Sequence, residues 1–565
     1  MMMPLVCEEV IVMHRFIHVS LISLLLLASL ASADTEVCGT ITTTTWTKAN
    51  SPYCVTDTIT IPAGETLTIE PGVDVLFDVS VPLIVDGSIH ANGTESDSIR
   101  FVRGEAQTWG GLAIQGSDTS TLLGTNLSAF AYTRISDAQG EGGLRIRGFY
   151  PDWSDTAAWL TVHLRHCVIT GNSAHDGGGV FARYGVTLTM DTCSITGNSA
   201  TGGEGGGLYY ASSGGVSYKP AVGYDEARTT RVTMTGCLVA ANTAKWYGGG
   251  VCGNFSPGTF TNCMIRNNTG GYVGGLALKY STSVLTGCTV EGNRSTDTPL
   301  GAGVWVGSGT AQLERCIIAR NEGAGLVMGH DPTNYPGKFF VTRCTIAGNT
   351  ASTHGGLYLS VDRPPEDTVA IVTNTILWGN APDNLYMKTN IYSGQTLFRY
   401  NDVGGDSVVA GEGNINTDPM FVDTTTGDYR LQAGSPCIDS GDPNGSPDPD
   451  GSRSDMGAHY FPHGLAVRSD HHPIPFALAQ NFPNPFNPTT TIRFSLPDAG
   501  HVRLVVYALT GQGVRRLIDG TMDAGAHAVL WDGRDESGRP AASGVYLYRL
   551  TSGQRNAVGK MMLVR

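Results

Sequence analysis

Charge is scarce in this chain of 565 residues, where only 15% are Asp, Glu, Lys or Arg. Basic residues are the scarcer sign, 36 against 50 acidic ones, and the formal net charge of −14 argues against nucleic acid and acidic lipid as partners. Long apolar runs are scarce too. The one that stands out, Phe16 to Leu30, is shorter than a membrane span and is followed by the small-x-small sequence Ala31-Ser32-Ala33. It reads as a cleaved signal peptide over residues 1–33, with Met13 as the alternative start, and leaves no transmembrane span in the mature chain. Twelve cysteines are present, but those of the central region stand tens of residues apart, not at the spacing of two to four that zinc sites use. What abounds is glycine, 74 residues, which beside so little charge fits a turn-rich all-β protein rather than a disordered one.

The glycines fall into a repeated phrase. His166-Cys167-Val168-Ile169-Thr170-Gly171-Asn172 leads to Gly177-Gly178-Gly179-Val180, and the phrase returns from Cys193 to Leu208 and from Cys237 to Val251. Further copies start at Cys263, Cys288, Cys316 and Cys344, each with Asn five residues on, and a last one reads Thr375 to Asn380 with Thr in place of Cys. A period of about 25–30 residues indicates stacked repeats. No unit carries a useful helical period, while short β-forming runs such as Thr187–Met190 and Phe339–Thr342 recur between Gly and Asn corners. One unit is therefore expected to be one turn of a parallel β-helix. The Cys column would face inward as small apolar residues, and the Asn column would bond corner backbone groups of its own or the next coil.

The phrase Cys-x-Ile-x-x-Asn…Gly-Gly-Gly resembles right-handed parallel β-helix proteins of the pectate-lyase-like superfamily, and more closely the repeats of polymorphic outer-membrane proteins. The resemblance covers about Thr161 to Asn380. It implies an all-β fold, a right-handed parallel β-helix solenoid, here taken as residues 55–415. Residues 34–54 are expected to cap its start, with Cys38 and Cys54 joined in a disulfide after export. Residues 416–462, with Asn416–Asp423, Gly434–Asp442 and Asp455–Tyr460, resemble the choice-of-anchor Q segment. Residues 463–475 read as a polar linker. Residues 476–565 show turn signals every eight to twelve residues, as a small β-sandwich does. Asn481–Thr489, Trp531–Asp535 and Gly559–Val564 resemble the type A sorting domain of type IX secretion and the Ig-like domain of flagellar hook-capping proteins. That resemblance implies export, surface attachment and a secretion-machinery partner.

Insertions between Cys193 and Cys237 (Ser212 to Thr230) and from Gly329 to Lys338 break the period, and insertions in repeat proteins tend to mark a binding face. Alternation after each glycine corner sets Val180, Leu208 and Val304 inward and Phe181, Tyr209, Trp305 and Tyr358 outward. Trp246, Tyr247 and Tyr272 lie just before the corner. These seven aromatics are the expected ligand-binding residues, with Trp305 as the central exposed platform, because aromatic faces suit sugar rings. The alternative is an aromatic ladder covered by the Ser212–Thr230 loop. For catalysis the best acid pair is Asp176 and Glu204 on successive coils, with Arg183 nearby, at about the separation of retaining glycosidases; the plain alternative is solvated corner residues. No cofactor is expected; Asp442, Asn444, Asp448, Asp450 and Asp455 resemble a Ca²⁺ loop and are the single candidate for one, although Asp-Pro and Asp-Gly also make ordinary turns. The function read from these residues is a secreted, cell-surface protein that binds an extracellular polysaccharide or cell-surface glycan without catalysis. The alternatives are a polysaccharide lyase or glycoside hydrolase, and a structural spacer.

Overall fold

The computed structural model describes residues 34–463, apart from 107, 117–125, 149–159, 213–228, 298–300, 302, 330–336, 361–368 and 388–395. It also describes 476–563, apart from 479, 480, 482–485, 487, 488, 497–499, 523, 524 and 554. The expected signal peptide, most of the linker and most of both insertions lie outside the described residues. Two compact units divide the chain, Met1–Pro462 and His463–Arg565.

In the first unit the strands stack in parallel ladders, coil upon coil. One ladder runs Arg134, Val168, Ser194, Leu238, Met264, Thr289, Ile317, Thr345, Ile376. A second runs Leu112, Leu144, Val180, Leu208, Val251, Leu276, Val304, Leu326, Leu357, Leu385. The repeated phrase explains the first. Its three-residue strand lies between two left-handed corners, one just before each Cys (His166, Thr192, Asn262, Arg315, Arg343) and one just before each Asn (Gly171, Gly197, Asn267, Arg320, Gly348). Glycine at the second corner is the cheap solution, because side chains resist positive φ.

Each Asn then serves two coils. Asn268 Nδ2 donates to Val239 O at 3.0 Å and to Asn293 Oδ1 at 3.0 Å, and its Oδ1 accepts from the Asn242 backbone N–H at 2.9 Å and from Asn242 Nδ2 at 3.0 Å. The pattern is unbroken from Asn172 to Asn380, and every rung is buried. The Cys column is likewise buried. Each thiol donates to the carbonyl two residues back and, except at Cys193, to one on the preceding coil, as Cys316 Sγ does to Glu314 O and Leu285 O. Thr133 and Thr375 end the column at its two ends, with hydroxyls bonded to the carbonyl two residues back in the same way.

The start of the rod differs from the expectation. Thr35–Thr40 is itself a rung, pairing in parallel with Tyr53–Ile61. Cys38 and Cys54 are free thiols, the first exposed and the second buried. The ladder sets Glu36 opposite Cys54, and Cys38 falls on a bulge between Val37 and Gly39, so the two side chains are not presented to each other.

Past Ile415, which still pairs in parallel with Asp402, the chain leaves the stack and packs on the rod's side. A hairpin, Phe421–Asp423 with Asp428–Leu431, and the residues Cys437 and Met456 form an apolar cluster with Ala319, Ala347, Ile376 and Tyr400 of the coils. Corner residues of successive coils hold it. Arg315 pairs with Asp448 at 3.3 Å, Arg343 donates to Ser446 O, and Asn374 accepts the Asp442 N–H at 2.8 Å. Beneath lies Asp402, buried, accepting from Thr417 N at 3.1 Å and from Cys437 Sγ at 3.2 Å. Burial pushes its pKa up to about 6. The folded form thus binds a proton between about pH 4 and 6 that the unfolded chain does not, so this group favours folding at low pH and the benefit is lost as pH rises through that window. Asp402→Asn is expected to raise stability at pH 7.5 by about 2 kcal/mol and to remove the gain at about pH 4.5, measured by urea unfolding. A less stable variant at pH 7.5 would contradict this.

The second unit is a small antiparallel sandwich. Ala477–Leu478, Thr490–Leu496 and Gly525–Trp531 form one sheet, and Gly513–Met522, Gly500–Ala508, Gly544–Ser552 and Arg555–Leu563 the other. Its core holds Phe486, Phe494, Tyr548 and Trp531, whose Nε1 donates to Arg534 O at 2.9 Å.

Candidate functional site

The second ladder of the rod presents two outward columns. The first runs Arg145, Phe181, Tyr209, Cys252, Ala277, Trp305, Val327, Tyr358, Tyr386, and the second runs Arg147, Arg183, Ala211, Asn254, Lys279, Gly307, Gly329, Ser360. The inward partners Val180, Leu208, Val251, Leu276 and Val304 are fully buried, so the alternation read from the sequence holds.

The first column is not the open aromatic strip that alternation alone suggested. Tyr209, Cys252, Ala277 and Val327 are buried. With Ala211 and Val273, the first three form a second apolar cluster outside the rod's main core, and Phe181, Tyr247, Tyr272 and Trp305 pack against it half-buried. The glycine corners cause this. They fold back over the strand so closely that a Cβ on Gly205 would lie 2.7 Å from that of Tyr209, and one on Gly248 2.9 Å from that of Cys252. Trp305 is therefore a half-buried wall and not a free platform: its ring is 5.6 Å from Tyr247, and its tip occupies the space a Gly307 side chain would need. Phe181 stacks on Tyr209 at 5.4 Å, Trp246 on Tyr272 at 5.5 Å and Tyr358 on Tyr386 at 5.3 Å.

The acid pair is engaged. Asp176 Oδ1 accepts the Glu204 backbone N–H at 2.8 Å and its Oδ2 lies 3.1 Å from His175 Nδ1, so Asp176 ties one glycine corner to the next. The Glu204 side chain turns to the strand face, where Oε1 meets Lys279 Nζ at 2.5 Å and Oε2 accepts from Cys252 Sγ at 3.4 Å. Lys279 Nζ also stands 4.5 Å from the centre of the Tyr247 ring. Burial presses against the Lys279 charge, but the Cys252 and Glu204 neighbours outweigh it and its pKa stands above the usual lysine value. Burial first, then the Lys279 and Glu204 charges, set the Cys252 thiol, which is pushed well up, and burial likewise raises the Tyr209 phenol.

Arg183, the register partner of Ala211, lies at the cationic end of the face. It stands directly opposite Arg147 on the next coil, and both guanidinium groups stack on Tyr184, at 4.5 and 5.4 Å. Arg183 Nε is buried without a hydrogen-bond partner. Arg145 lies over Phe181 at 5.7 Å, and burial followed by the Arg147 charge lowers its pKa. Among the described residues a carboxylate, Glu141, pairs with Arg145, and none pairs with Arg147 or Arg183. Arg147 was not singled out from the sequence; the signal was a basic residue at the same place in consecutive units, visible only once the register is known. At the far end His354 Nδ1 lies 2.8 Å from Asp383 Oδ2, and the ring stacks on Tyr386 at 3.8 Å.

The acidic residues that resemble a Ca²⁺ loop have other partners. Asp442 pairs with Arg399 at 2.9 Å, and Asp448 with Arg315. Asp455 accepts the Asp439 N–H at 2.6 Å and the Phe461 N–H at 2.5 Å, Asp450 accepts from Ser452, and Asn444 donates its backbone N–H to Asp442. Two of four carboxylates are thus already neutralised by arginine, and the donor set does not fit a shared cation. It is a turn that locks the terminal segment to the coils.

Residues 221–376 match the family described as "Right handed beta helix region". The rod is a right-handed parallel β-helix. Residues 485–556 match the "FlgD Ig-like domain", so an Ig-like module of that kind closes the chain. No curated protein matches the sequence. Among solved structures, pectate lyase Pel9A is 12% identical over 71% of this chain and 88% of its own, with a TM-score of 0.34. A double mutant of the periplasmic alginate epimerase AlgG is 12% identical over 55% and 75%, with a TM-score of 0.28. PorZ, described as a surface component of the type-IX secretion system of Porphyromonas gingivalis, is 19% identical over 21% of this chain, with a TM-score of 0.13, and the match spans only 14% of PorZ.

Proposed function

We propose that the outward face of the second ladder binds an extracellular polysaccharide bearing acidic groups, and that it does so without breaking the chain. The carrying observation is the Arg147–Arg183 pair. Like charges directly opposite each other across adjacent strands are destabilising, and here two of them persist with no carboxylate paired to either among the described residues, on a protein of net charge −14. An anionic ligand relieves that repulsion. The half-buried aromatic edges of Phe181, Trp246, Tyr272, Trp305 and Tyr358 offer apolar contact along the same face. Immobilised acidic and neutral polysaccharides, probed with the protein while released reducing ends are measured, test this: binding to acidic chains with no release is expected. Release would favour the second reading, cleavage, for which the Asp383–His354 pair is the supporting geometry. No binding to either set would leave a structural spacer.

The same reading takes the protein to the bacterial surface, with the Ig-like domain as the attachment module recognised by secretion machinery of the type IX class. Its support is the match over residues 485–556 and the phrases from Asn481 to Val564. Removing Phe476–Arg565 is expected to leave the β-helix folded and retained in the periplasm, as read by fractionation and protease shaving. Surface display of the shortened chain would contradict it.

A further inference from the structure

The Lys279 cluster carries a chemistry that glycan binding does not use. Asn254 and Lys279 are register partners on adjacent coils, both in the second outward column, so their backbones are about 4.8 Å apart and their side chains share a face. Glu204 holds Lys279 Nζ at 2.5 Å, with the two side chains only 18% and 13% exposed. Tyr247 covers the ammonium, Tyr209 touches the Asn254 side chain, and Cys252, Val273 and Ala277 make the surroundings apolar. Asn254 Oδ1 is buried and has no hydrogen-bond partner, a costly state for an amide oxygen.

We propose that Lys279 and Asn254 form an intramolecular isopeptide bond, with Glu204 moving the protons. The resting ion pair becomes reactive when one proton passes from Nζ to Glu204 along their short contact, leaving a neutral amine beside a neutral acid. The Nζ lone pair attacks Asn254 Cγ. Glu204 gives its proton to Nδ2, the Cγ–Nδ2 bond breaks and ammonia leaves. Glu204 then takes the surplus proton from Nζ. The products are an amide joining Nζ to Cγ, one ammonia and a protonated Glu204. No oxidant or other reactant is consumed. The product also supplies what Oδ1 lacks, because the protonated Glu204 is a donor, and it removes a charged pair from an apolar site. The bond would tie two coils of the binding face covalently. It stands independently of which ligand that face takes.

Mass spectrometry of the denatured full-length protein tests it. The wild type is expected to be lighter than its sequence by one ammonia, and its digest to contain one branched peptide joining the Asn254 and Lys279 segments. Lys279→Arg, which keeps the charge pairing with Glu204, and Glu204→Gln are each expected to have their full sequence mass. Asn254→Asp, which would lose water instead, is expected to reach the same final mass as the wild type. Full sequence mass in the folded wild type, or the loss of one water traced to a Lys279–Glu204 link, would overturn the assignment.

Discussion

Asn268→Ala is expected to destabilise the β-helix by roughly 3–5 kcal/mol, since it strips partners from several buried groups at once. The Asn242 backbone N–H loses the acceptor that holds it at 2.9 Å, Asn242 Nδ2 loses a second one, and the Val239 carbonyl loses a donor at 3.0 Å. All three lie where water does not reach, since Asn242 and Asn268 are fully buried. A replacement of similar shape without the amide, Asn268→Leu, is expected to fare no better, which separates the polar loss from a loss of volume. Urea unfolding gives the total. Native-state hydrogen exchange gives the location: protection is expected to fall first in the Cys237–Asn242 and Cys288–Asn293 coils, because each coil touches only its neighbours. A loss under about 1 kcal/mol would show that the ladder is ornamental to stability.

Trp109→Ala is the second large effect, expected at about 3–5 kcal/mol. Trp109 fills the rod near its start, fully buried, stacked on Phe77 at 4.1 Å, with Nε1 donating to Ser136 O at 2.8 Å. The change removes the ring, opens a cavity and leaves that carbonyl short of a donor. Trp109→Phe restores most of the volume without the N–H and is expected to cost about 1–2 kcal/mol, so the pair of variants divides packing from hydrogen bonding. Unchanged unfolding of both would mean that the early coils do not contribute to the measured transition.

Why the coil was so legible can be argued from Cys-x-Ile-x-Gly-Asn. Each letter answers a local demand: a small inward thiol after a left-handed corner, an inward Ile, a glycine at the next left-handed corner, and an amide that can bond two coils. Local demands leave local traces. The face was harder to read because its properties depend on which side chains become neighbours across coils. Glu204 and Lys279 are 75 residues apart, and no spacing rule brings them together. Tyr209 is covered by its own glycine corner, a folding-back that alternation cannot register. The acidic run from Asp442 to Asp455 resembles a Ca²⁺ loop for the same reason. Its carboxylates answer to Arg315 and Arg399, which belong to coils laid down much earlier in the chain.

The central claim is that the paired arginines at the cationic end of the face hold an acidic polysaccharide. It is tested most directly by titrating one acidic polysaccharide against the wild type and against Arg147→Gln/Arg183→Gln at low and near-physiological salt. Surface charge is screened by salt, and a charge-assisted hydrogen bond contributes about 1.5–3 kcal/mol. The wild type is expected to weaken as salt rises. The double variant is expected to bind roughly tenfold or more weakly at low salt and to lose most of that salt dependence, while unfolding at the same urea concentration or a higher one. Equal affinity and an equal salt slope in the two proteins would contradict the claim.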